Sequence, residues 1–330
     1  MKAAFYEKQG DAADVLMIGD LPDPLPAHGE VRVKIAVSGL NPSDIKARTG
    51  FTGARMRFPR VIPHQDGSGT IDAVGPGVSE ERIGERVWVF KAQTERPFGT
   101  AAEYVVLPSR LAVPLGKDAS FEIGASIGIP AITAHRCLFA DGDVRGRRVL
   151  VHGGGGGVGT AAILLAKWAG AWVAATVSNE LQADAARNAG ADVLIFRHSE
   201  DVAQRVLTAT GGVGVNRIVD VDVVANVHID LACLATDGVV TAYSSSRSDA
   251  TLEIPFRPAM FGGHVFRFVY LYSMSERSIQ DALRDISACI EAKAYSPTIG
   301  QRFLLEEIAD AHLAQESGKV IGKILLTVGS

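Results

Sequence analysis

The sequence predicts an α/β protein in which a doubly wound parallel sheet is combined with a β-rich domain. The first third of the chain contains short apolar runs separated by Gly and Pro, a pattern typical of a small barrel or sandwich. From about residue 149 to 242, apolar strands alternate with helical segments, as in a parallel sheet with helices on both faces. A glycine-rich turn lies between the first of these strands and the helix that follows it.

The composition is that of an ordinary globular enzyme. The chain has 330 residues, of which 47% are hydrophobic and 21% charged, and its length predicts about two domains. The formal net charge of −4 disfavours nucleic-acid binding as the main activity. The three scattered cysteines, Cys137, Cys233 and Cys289, argue against a disulfide framework. No secretory signal and no membrane span is predicted, so we expect a cytoplasmic protein.

The β-rich part begins with a half-buried strand over residues 30–37, where Val and Ile alternate with Arg32 and Lys34. Further strands are predicted at 70–74, 86–90, 102–106 and 111–114. Two helical stretches follow, at 121–128 and 132–139, and Pro130 predicts a break between them.

The alternating part predicts a series of strand–helix pairs. The predicted strands are 149–152, 172–177, 193–196, 217–221 and 239–242, and the predicted helices are 160–169, 181–188, 199–210 and 225–234. An amphipathic helix over 278–292 and a closing strand over 323–328 come later. The aromatic run at 266–272 predicts a buried or interface strand, with part of a substrate wall as the alternative.

The glycine-rich turn predicts a dinucleotide-binding site. Residues 153–159 read GGGGGVG, in which Gly154, Gly156 and Gly159 match G-x-G-x-x-G between a strand and a helix. Glycine permits the tight turn and lets the backbone approach a pyrophosphate. The helix that starts near Thr160 offers free N–H groups and a partial positive charge to the phosphates. The predicted cofactor-binding residues of the turn are Gly153, Gly154, Gly156, Gly157, Val158 and Gly159.

The end of the second strand in this part predicts which dinucleotide binds. An acid there would bind the ribose of NAD and repel the 2′-phosphate of NADP. About 19 residues after Gly159 the chain instead has Ser178 and Asn179, so NADP is favoured. The alternative is that these two residues only cap the following helix, which is compatible with either cofactor.

Short motifs spread over nearly the whole chain carry a family resemblance. They are GLNPSD at 39–44, IPHQD at 62–66 followed by Gly69, GERV at 84–87, FGTAAEY at 98–104, PAITA at 130–134 and GKVIGK at 318–323. With the glycine turn, they make the chain resemble the zinc-free quinone oxidoreductases, the zeta-crystallin-like group of the medium-chain dehydrogenase/reductase superfamily. The resemblance implies a GroES-like catalytic barrel over 1–122 and 265–330, with a Rossmann domain over 123–264. It also implies an active site in the cleft where the nicotinamide meets the barrel.

The resemblance further implies that no zinc is used. Zinc-dependent relatives have Cys where Asn41 stands and His-Glu where Gln65 and Asp66 stand, and their structural zinc needs four clustered cysteines. His64 lies one residue away from the family's ligand position. We interpret it as a histidine that lines the substrate pocket or is hydrogen-bonded, and not as a metal ligand.

Several residues acquire roles near the nicotinamide from the resemblance. Asn41 and Asp44 match residues on its substrate side, where Asn41 can donate to a carbonyl and Asp44 can position water or a side chain. Both also fit a turn and helix N-cap, so this alternative stays open. Thr133 matches a residue that contacts the cofactor carboxamide, and its alternative is a helix residue bonded to the backbone. Lys46, where relatives often have Tyr, changes the polarity of the substrate pocket.

Other residues acquire roles in binding the cofactor. Relatives that use NADP often have Lys where Gln182 stands, so one partner of the 2′-phosphate is missing. Arg197, where relatives often have Tyr beside the adenosine, can supply this charge, although a solvated surface residue is the alternative. Arg187 is a second candidate cation. Lys323, in the last motif, is also assigned to the cofactor-binding residues.

Together these residues predict reduction of a quinone or related conjugated carbonyl by hydride transfer from NADPH. The nearest alternative is an enoyl or alkenal double-bond reductase. A different class is a non-catalytic NADPH-binding protein, crystallin-like or RNA-binding as some relatives are, but the acidic net charge and the intact glycine turn argue against it. The glycines are followed by no nucleophile elbow and no P-loop lysine, which excludes hydrolases and NTPases. The resemblance and the aromatic run at 266–272 predict a homodimer built on the nucleotide domain.

Overall fold

The computed structural model describes residues 1–51 and 53–329. Its strands are β1 (Lys2–Phe5), β2 (Met17–Asp20), β3 (Glu30–Leu40), β4 (Asp66–Val74), β5 (Arg86–Val89), β6 (Tyr104–Pro108), β7 (Ala112–Pro114), β8 (Arg148–Val151), β9 (Trp172–Val177), β10 (Val193–Phe196), β11 (Val215–Asp220), β12 (Leu234–Ala242), β13 (Val265–Phe268), β14 (Ile299–Leu304) and β15 (Lys323–Thr327). Its α-helices are α1 (Ala12–Val15), α2 (Pro42–Thr49), α3 (Phe121–Ala125), α4 (Gly128–Phe139), α5 (Gly157–Trp168), α6 (Glu180–Asn188), α7 (Val202–Ala209), α8 (Val223–Cys233), α9 (Phe256–Phe261), α10 (Glu276–Glu291) and α11 (Ile308–Glu316).

The chain divides into two compact units. One, here called the split unit, comprises Met1–Ile129 and Ile299–Ser330. The other, the continuous unit, comprises Pro130–Thr298. These boundaries lie later than the expected ones at 122/123 and 264/265.

The continuous unit is built on a six-stranded sheet with the order β10-β9-β8-β11-β12-β13. Every neighbouring pair is parallel. Counted from β8, this is the order 3-2-1-4-5-6 of Rossmann folds, and the doubly wound sheet is confirmed. The order reverses between β8 and β11, and ligands of such sheets bind beyond the carboxyl ends of the strands at this switch point.

The strands of this sheet are apolar because helices cover both faces. In β8, Val149, Leu150 and Val151 are fully buried, and Leu150 packs with Ile218 of β11 and Val240 of β12. Strands buried on both faces are continuous apolar runs and do not alternate. Burying each such side chain contributes about 1.5–3 kcal/mol relative to leaving it exposed.

The late boundary of the continuous unit has a structural cause in β13. This strand pairs along its length with β12, from Val239 opposite Val265 to Ala242 opposite Phe268. Residue 265, where the return to the first domain was expected, is therefore the start of the sixth strand of the parallel sheet. The helix that follows, α10, also belongs to this unit.

The start of α4 differs from the prediction. The helix runs from Gly128 through Pro130 to Phe139, so the break predicted at Pro130 is wrong. Pro130 lies in the first turn, where a backbone N–H has no partner within the helix and its loss removes no hydrogen bond.

The split unit is built around a sheet with the order β14-β15-β3-β4-β5-β7, to which β6 adds by pairing with β3. The alternation predicted in β3 is confirmed, because Val31, Val33 and Ile35 are buried. The strand continues to Leu40, where it pairs antiparallel with β15 and Leu40 lies opposite Ile324. This pairing brings Lys323 beside the residues that follow β3.

Two further sequence-based expectations concern the cysteines and the membrane. Cys137, Cys233 and Cys289 are free and buried, and burial raises the pKa of each thiol to about 12. None of the helices in residues 1–51 and 53–329 combines the length and the apolar content needed to cross a bilayer.

Candidate functional site

The turn between β8 and α5 needs glycine at two of its positions. Gly153 has a φ of +72°, which residues with a side chain disfavour. Its N–H donates to Thr176 Oγ1 at 3.0 Å, and the N–H of Gly154 donates to the Thr176 carbonyl at 2.9 Å. A Cβ added to Gly159 would lie 2.2 Å from the carbonyl oxygen of Gly153. The turn and the helix start are therefore too close for a larger residue at 159.

The N-terminus of α5 is an anion-binding arrangement. Its N-cap, Gly156, has no side chain to accept a hydrogen bond, and the first helical bond runs from Thr160 N to Gly156 O at 2.8 Å. The N–H groups of the three residues between them have no carbonyl within the helix to bind. Their free N–H groups and the helix dipole together attract a phosphate. The predicted residues Gly157, Val158 and Gly159 are thus brought together at one helix start.

We expect Gly159→Ala to lower the free energy of unfolding by about 1–3 kcal/mol, the usual cost of overpacking. The added methyl group would meet the backbone of Gly153. Gly157→Ala is the matched control, because its Cβ would have Pro130 as its nearest neighbour at 3.8 Å, an ordinary contact. Urea unfolding followed by circular dichroism measures both. Equal stabilities of the two variants would contradict this geometry.

The end of β9 carries the residues predicted to contact the 2′ position of a dinucleotide. Arg197 Nε donates to Ser178 Oγ at 2.7 Å, and the Arg197 side chain is exposed. Asn179 caps α6, because its Oδ1 accepts from Gln182 N at 3.0 Å. The Gln182 side chain in turn accepts from Ser178 N at 2.8 Å. The structure therefore brings Ser178 and Arg197 together and gives Asn179 the capping role.

Two other predicted cofactor-binding residues, Thr133 and Arg187, lie on helices of the continuous unit. Thr133 is buried on α4, 6% exposed, in the turn that follows Pro130. Arg187, the second candidate cation, forms an ion pair with Asp184 on its own helix. Of the two arginines, Arg197 contacts Ser178 and is therefore the better placed to bind a 2′-phosphate there.

In the split unit, Asn41, Asp44, Asp66 and Lys323 form one buried polar centre. Asn41 N donates to Asp44 Oδ2 at 2.8 Å as α2 begins, so Asp44 does cap the helix. Asn41 Nδ2 donates to Asp66 Oδ2 at 2.7 Å. Lys323 Nζ donates to Asn41 Oδ1 at 2.6 Å and to Asp66 Oδ2 at 3.0 Å. All four residues are at most 6% exposed.

Burial dominates the electrostatics of this centre. It raises the pKa of Asp44 to about 8, although the N–H of Asn41 and the charge of Lys323 act in the opposite direction. It also raises the pKa of Asp66, against the opposing effects of Lys323 and Asn41. The N–H of Ile129 donates to both Asp66 oxygens, at 2.9 and 3.0 Å. Since Asp66 accepts all of these bonds, we treat it as the carboxylate partner of Lys323.

The buried centre changes the placement of two predicted residues. Lys323 was expected to bind the cofactor, but its ammonium lies within hydrogen-bonding distance of Asn41 and Asp66. Lys46 is half-buried, with its ammonium 4.9 Å from the centre of the Phe51 ring. The contact of Lys46 with a substrate stays a prediction.

His64 is fully buried inside the split unit. It is 0% exposed, with a φ of +77°. Its Nδ1 lies 2.8 Å from Ser38 Oγ and its Nε2 lies 3.1 Å from His312 Nε2. Burial, with the neighbouring charges of His312 and Lys323, holds its pKa well below the ordinary value. The substrate-pocket expectation is thus corrected in favour of the hydrogen-bonded one, because both ring nitrogens are engaged inside the unit.

A buried cluster at the switch point was not predicted from the sequence. His152 follows β8, Asp220 ends β11 and Asp230 lies on α8, and all three are at most 4% exposed. They can bring one ligand atom each within 4.8 Å of one another. Polar residues at the ends of neighbouring strands were a usable signal for His152 and Asp220. The partner on α8 has no comparable signal.

Comparisons with known proteins agree with this architecture. The alcohol dehydrogenase GroES-like domain matches residues 27–118, and the zinc-binding dehydrogenase domain matches residues 157–288. Quinone oxidoreductase from Lama guanicoe is 30% identical over 99% of this chain and 97% of its own length. The enzyme from Rattus norvegicus is 32% identical over 93% and 92%. The chain belongs to the quinone oxidoreductase family of the medium-chain dehydrogenase/reductase superfamily. It is an oxidoreductase.

Solved structures extend the likeness to the whole quinone oxidoreductase fold. An NAD-dependent alcohol dehydrogenase is 31% identical, with a TM-score of 0.89 over 100% of both chains. A mycobacterial quinone oxidoreductase is 28% identical, with a TM-score of 0.87 over 99% of each chain. A mycobacterial protein solved in complex with NADPH is 28% identical, with a TM-score of 0.85 over 99% of each chain. The predicted combination of a Rossmann sheet with a GroES-like domain is confirmed.

The name of the second matching domain raises the question of zinc in this quinone oxidoreductase. A catalytic zinc site offers three His, Cys or carboxylate ligands and one open position. At the positions where the resemblance places the zinc ligands of relatives, this chain has Asn41, Gln65 and Asp66, and the Gln65 Oε1 accepts from Thr94 Oγ1 at 3.0 Å. The ammonium of Lys323 already contacts the other two. This donor set does not fit a catalytic zinc ion.

Proposed function

We propose that this member of the quinone oxidoreductase family reduces a quinone or related conjugated carbonyl, with NADPH as hydride donor and without zinc. The observation that carries the proposal is the buried centre of Asn41, Asp66 and Lys323. In this centre the Lys323 ammonium contacts both Asp66 and the Asn41 side-chain amide, which supports a role for that amide in polarising a carbonyl. The similarity to quinone oxidoreductases along nearly the full length supports the acceptor class.

The continuous unit has the features that NADPH requires. When bound, NADPH supplies the hydride and its paired electrons. The uncapped start of α5 would hold the pyrophosphate, and Ser178 with Arg197 would hold the 2′-phosphate. Thr133 would contact the carboxamide. The related mycobacterial protein solved with NADPH supports this choice, whereas the related NAD-dependent dehydrogenase shows that the fold alone does not decide it.

Asn41 would polarise the carbonyl of the acceptor. One of its Nδ2 hydrogens is committed to Asp66 at 2.7 Å, but the other has only the Gly39 carbonyl, at 3.5 Å. That distance is too long for a strong hydrogen bond, so this hydrogen can be given to a substrate oxygen. Lys323 donates to the Oδ1 of the same amide and polarises it, which makes Nδ2 a better donor. Asp44 fixes the backbone of Asn41 from which this amide projects.

The proposal is tested by NADPH oxidation with 9,10-phenanthrenequinone, with a crotonyl thioester and with no acceptor. We expect turnover with the quinone, less than stoichiometric zinc after dialysis, and activity that a chelator leaves unchanged. Stoichiometric zinc, with activity lost to the chelator, would overturn the zinc-free mechanism. Binding of NADPH without turnover of either acceptor would favour the non-catalytic class.

A double-bond reductase is the second candidate. A 2-haloacrylate reductase from Burkholderia sp is 27% identical over 99% of this chain and 98% of its own length. Reduction of an activated double bond would use the same donor and the same carbonyl-polarising amide. Faster turnover of the crotonyl thioester than of the quinone would favour this candidate.

A homodimer built on the continuous unit remains part of the proposal. β13 is the edge strand of the parallel sheet, and the apolar residues around it are exposed. Phe256 is 74% exposed, Phe261 75%, and Phe268 and Tyr270 each 66%. An unpaired edge strand beside exposed aromatic side chains favours pairing with a second copy.

We expect light scattering at micromolar concentration to give twice the mass of one chain. Phe268→Glu should shift the protein towards monomer, because it places a charge on the exposed edge strand. Leu25→Glu is the control, since Leu25 is 81% exposed but lies in the split unit. A monomeric wild type, or equal effects of the two variants, would count against this interface.

A further inference from the structure

The proposed mechanism does not use the cluster of His152, Asp220 and Asp230, although this cluster adjoins the glycine turn. His152 follows β8 and Asp220 ends β11, so the two residues flank the point where the strand order reverses. His152 is also the residue that immediately precedes Gly153. The cluster is therefore next to the backbone that would hold the pyrophosphate.

Hydrogen bonds connect this cluster to the turn. His152 Nε2 lies 2.9 Å from Asp230 Oδ1, and its Nδ1 lies 3.4 Å from Thr176 Oγ1. The same Thr176 oxygen accepts from Gly153 N at 3.0 Å. Because a carboxylate accepts, His152 Nε2 is the donor to Asp230. The chain of contacts thus runs from Asp230 through His152 and Thr176 to the first amide of the turn.

The two carboxyl groups need a positive charge that no lysine or arginine in contact with them supplies among the described residues. Asp220 Oδ1 accepts from Asp222 N at 2.8 Å and from Asn226 Nδ2 at 2.9 Å. Asp220 Oδ2 and Asp230 Oδ2 are buried and have no partner. Two neighbouring buried carboxylates repel each other strongly, and one proton held between them removes the repulsion.

We propose that Asp220 and Asp230 share one proton. This proton holds Asp230 in place for its bond to His152, and His152 acts as a positioning residue for the backbone of the dinucleotide turn. The proposal rests on the proposed binding of NADPH. Loss of the proton would leave two facing carboxylates, and their repulsion would move Asp230, together with the His152 ring that is bonded to it. Gly153 would then lose the support that it receives through Thr176.

The direction of the titration agrees with this geometry. Burial raises the pKa of Asp230 to about 7, with Asp220 acting in the same direction and His152 against it. For His152, burial lowers the pKa, but the hydrogen bond and charge of Asp230 outweigh it and leave a net rise. Both groups therefore hold protons more tightly in the folded state than in the unfolded state. The stabilisation from each group is therefore present at low pH and is lost as the pH rises through that group's raised pKa, which for Asp230 is about 7.

Other ionisable groups that act on the cluster come from the neighbouring segments. Arg197, beyond β10, acts on His152 in the direction that lowers its pKa. Cys233 lies on α8 with Asp230, and Tyr243 follows β12. Burial raises the pKa of both, so these two groups stay neutral. Asp222, at the start of α8, has one buried oxygen without a partner, and Asp201, before α7, acts on Cys233.

Asp230→Asn tests the proposal because an asparagine amide reproduces the protonated pair. Its oxygen can accept from His152, and its NH₂ group can donate to Asp220 without any titrating proton. We measure the Kd for NADPH between pH 7 and 8.5, above the range in which the 2′-phosphate itself titrates, at about pH 6. The wild-type Kd should rise by about tenfold, which is within the limit for one linked proton. The Asp230→Asn Kd should change by less than about twofold. The matched control, Asp281→Asn on α10, should follow the wild type.

The outcomes separate this proposal from the proposed function. Absence of NADPH binding at every pH would overturn the proposed function. Tight binding with the same pH profile in wild type and Asp230→Asn would overturn only the shared proton. Asp230→Ala should weaken binding at all pH values, and Asp220→Asn should behave as Asp230→Asn does. A wild-type Kd that changes on addition of EDTA would overturn the shared proton in favour of a bound divalent cation.

Discussion

Lys323→Met is expected to lower the free energy of unfolding by about 3–5 kcal/mol, the usual cost of leaving a buried charge without its partner. Asp66 is 0% exposed and would lose the ammonium 3.0 Å away, so it would have to stay charged without a cation or take up a proton. The Asn41 side chain would at the same time lose the donor to its Oδ1. Urea unfolding at pH 7 measures the effect.

Two further variants show whether the loss comes from the buried charge. Lys319→Met, at an exposed position just before β15, should leave stability within about 0.5 kcal/mol of the wild type. Asp66→Asn combined with Lys323→Met should be more stable than Lys323→Met alone, because no charge is then left unpaired. If the double variant loses as much free energy of unfolding as the two single variants lose together, the pair contributes through packing alone.

Ser178→Asp is expected to reverse the choice of cofactor. A charge-assisted hydrogen bond to phosphate contributes about 1.5–3 kcal/mol, which corresponds to a roughly ten- to hundredfold preference of the wild type for NADPH. The absence of a lysine at Gln182 places the expected preference near the lower end. An aspartate at 178 would repel the 2′-phosphate, would accept from the ribose of NADH, and would compete for Arg197, which now donates to Ser178 Oγ at 2.7 Å.

Arg197→Ala should weaken NADPH and spare NADH, whereas Arg187→Ala should change neither, because Arg187 is paired with Asp184. The measurement is kcat/KM with each cofactor in the wild type and the three variants. A wild type that prefers NADH, or an Arg197→Ala variant that loses both cofactors equally, would contradict the assignment of the 2′-phosphate pocket.

The features predicted correctly are those that local sequence determines. The glycine motif between a strand and a helix predicted the turn, since the backbone at Gly153 and the contact at Gly159 admit no larger residue. The contact between Ser178 and Arg197 could also have been predicted from the sequence, because the two residues follow the ends of neighbouring parallel strands, β9 and β10. Pro130 was misjudged because its effect depends on where the helix starts, and the helix starts two residues before it.

The features that were missed depend on side chains far apart in sequence. His64 is hydrogen-bonded as expected, but its two partners are Ser38 and His312, and His312 is 248 residues away. Lys323 reaches Asn41 across 282 residues because β15 pairs with the end of β3. Asp230 faces His152 because of the way α8 is rotated about its own axis. Sequence periodicity alone does not determine that rotation. Such pairs need the tertiary structure before their chemistry can be assigned.

The division of the split unit has a consequence for the order in which the chain folds during synthesis. The ribosome completes residues up to Ile129 and then all 169 residues of Pro130–Thr298 before it reaches β15. At roughly 5–20 residues per second, synthesis from Pro130 to Lys323 lasts about 10–40 s. Until it ends, Asp66 has no ammonium beside it and residues 37–40 of β3 have no β15 to pair with. The nascent chain therefore carries an open sheet edge, a feature that promotes aggregation, beside an acid that has not yet met its ammonium partner.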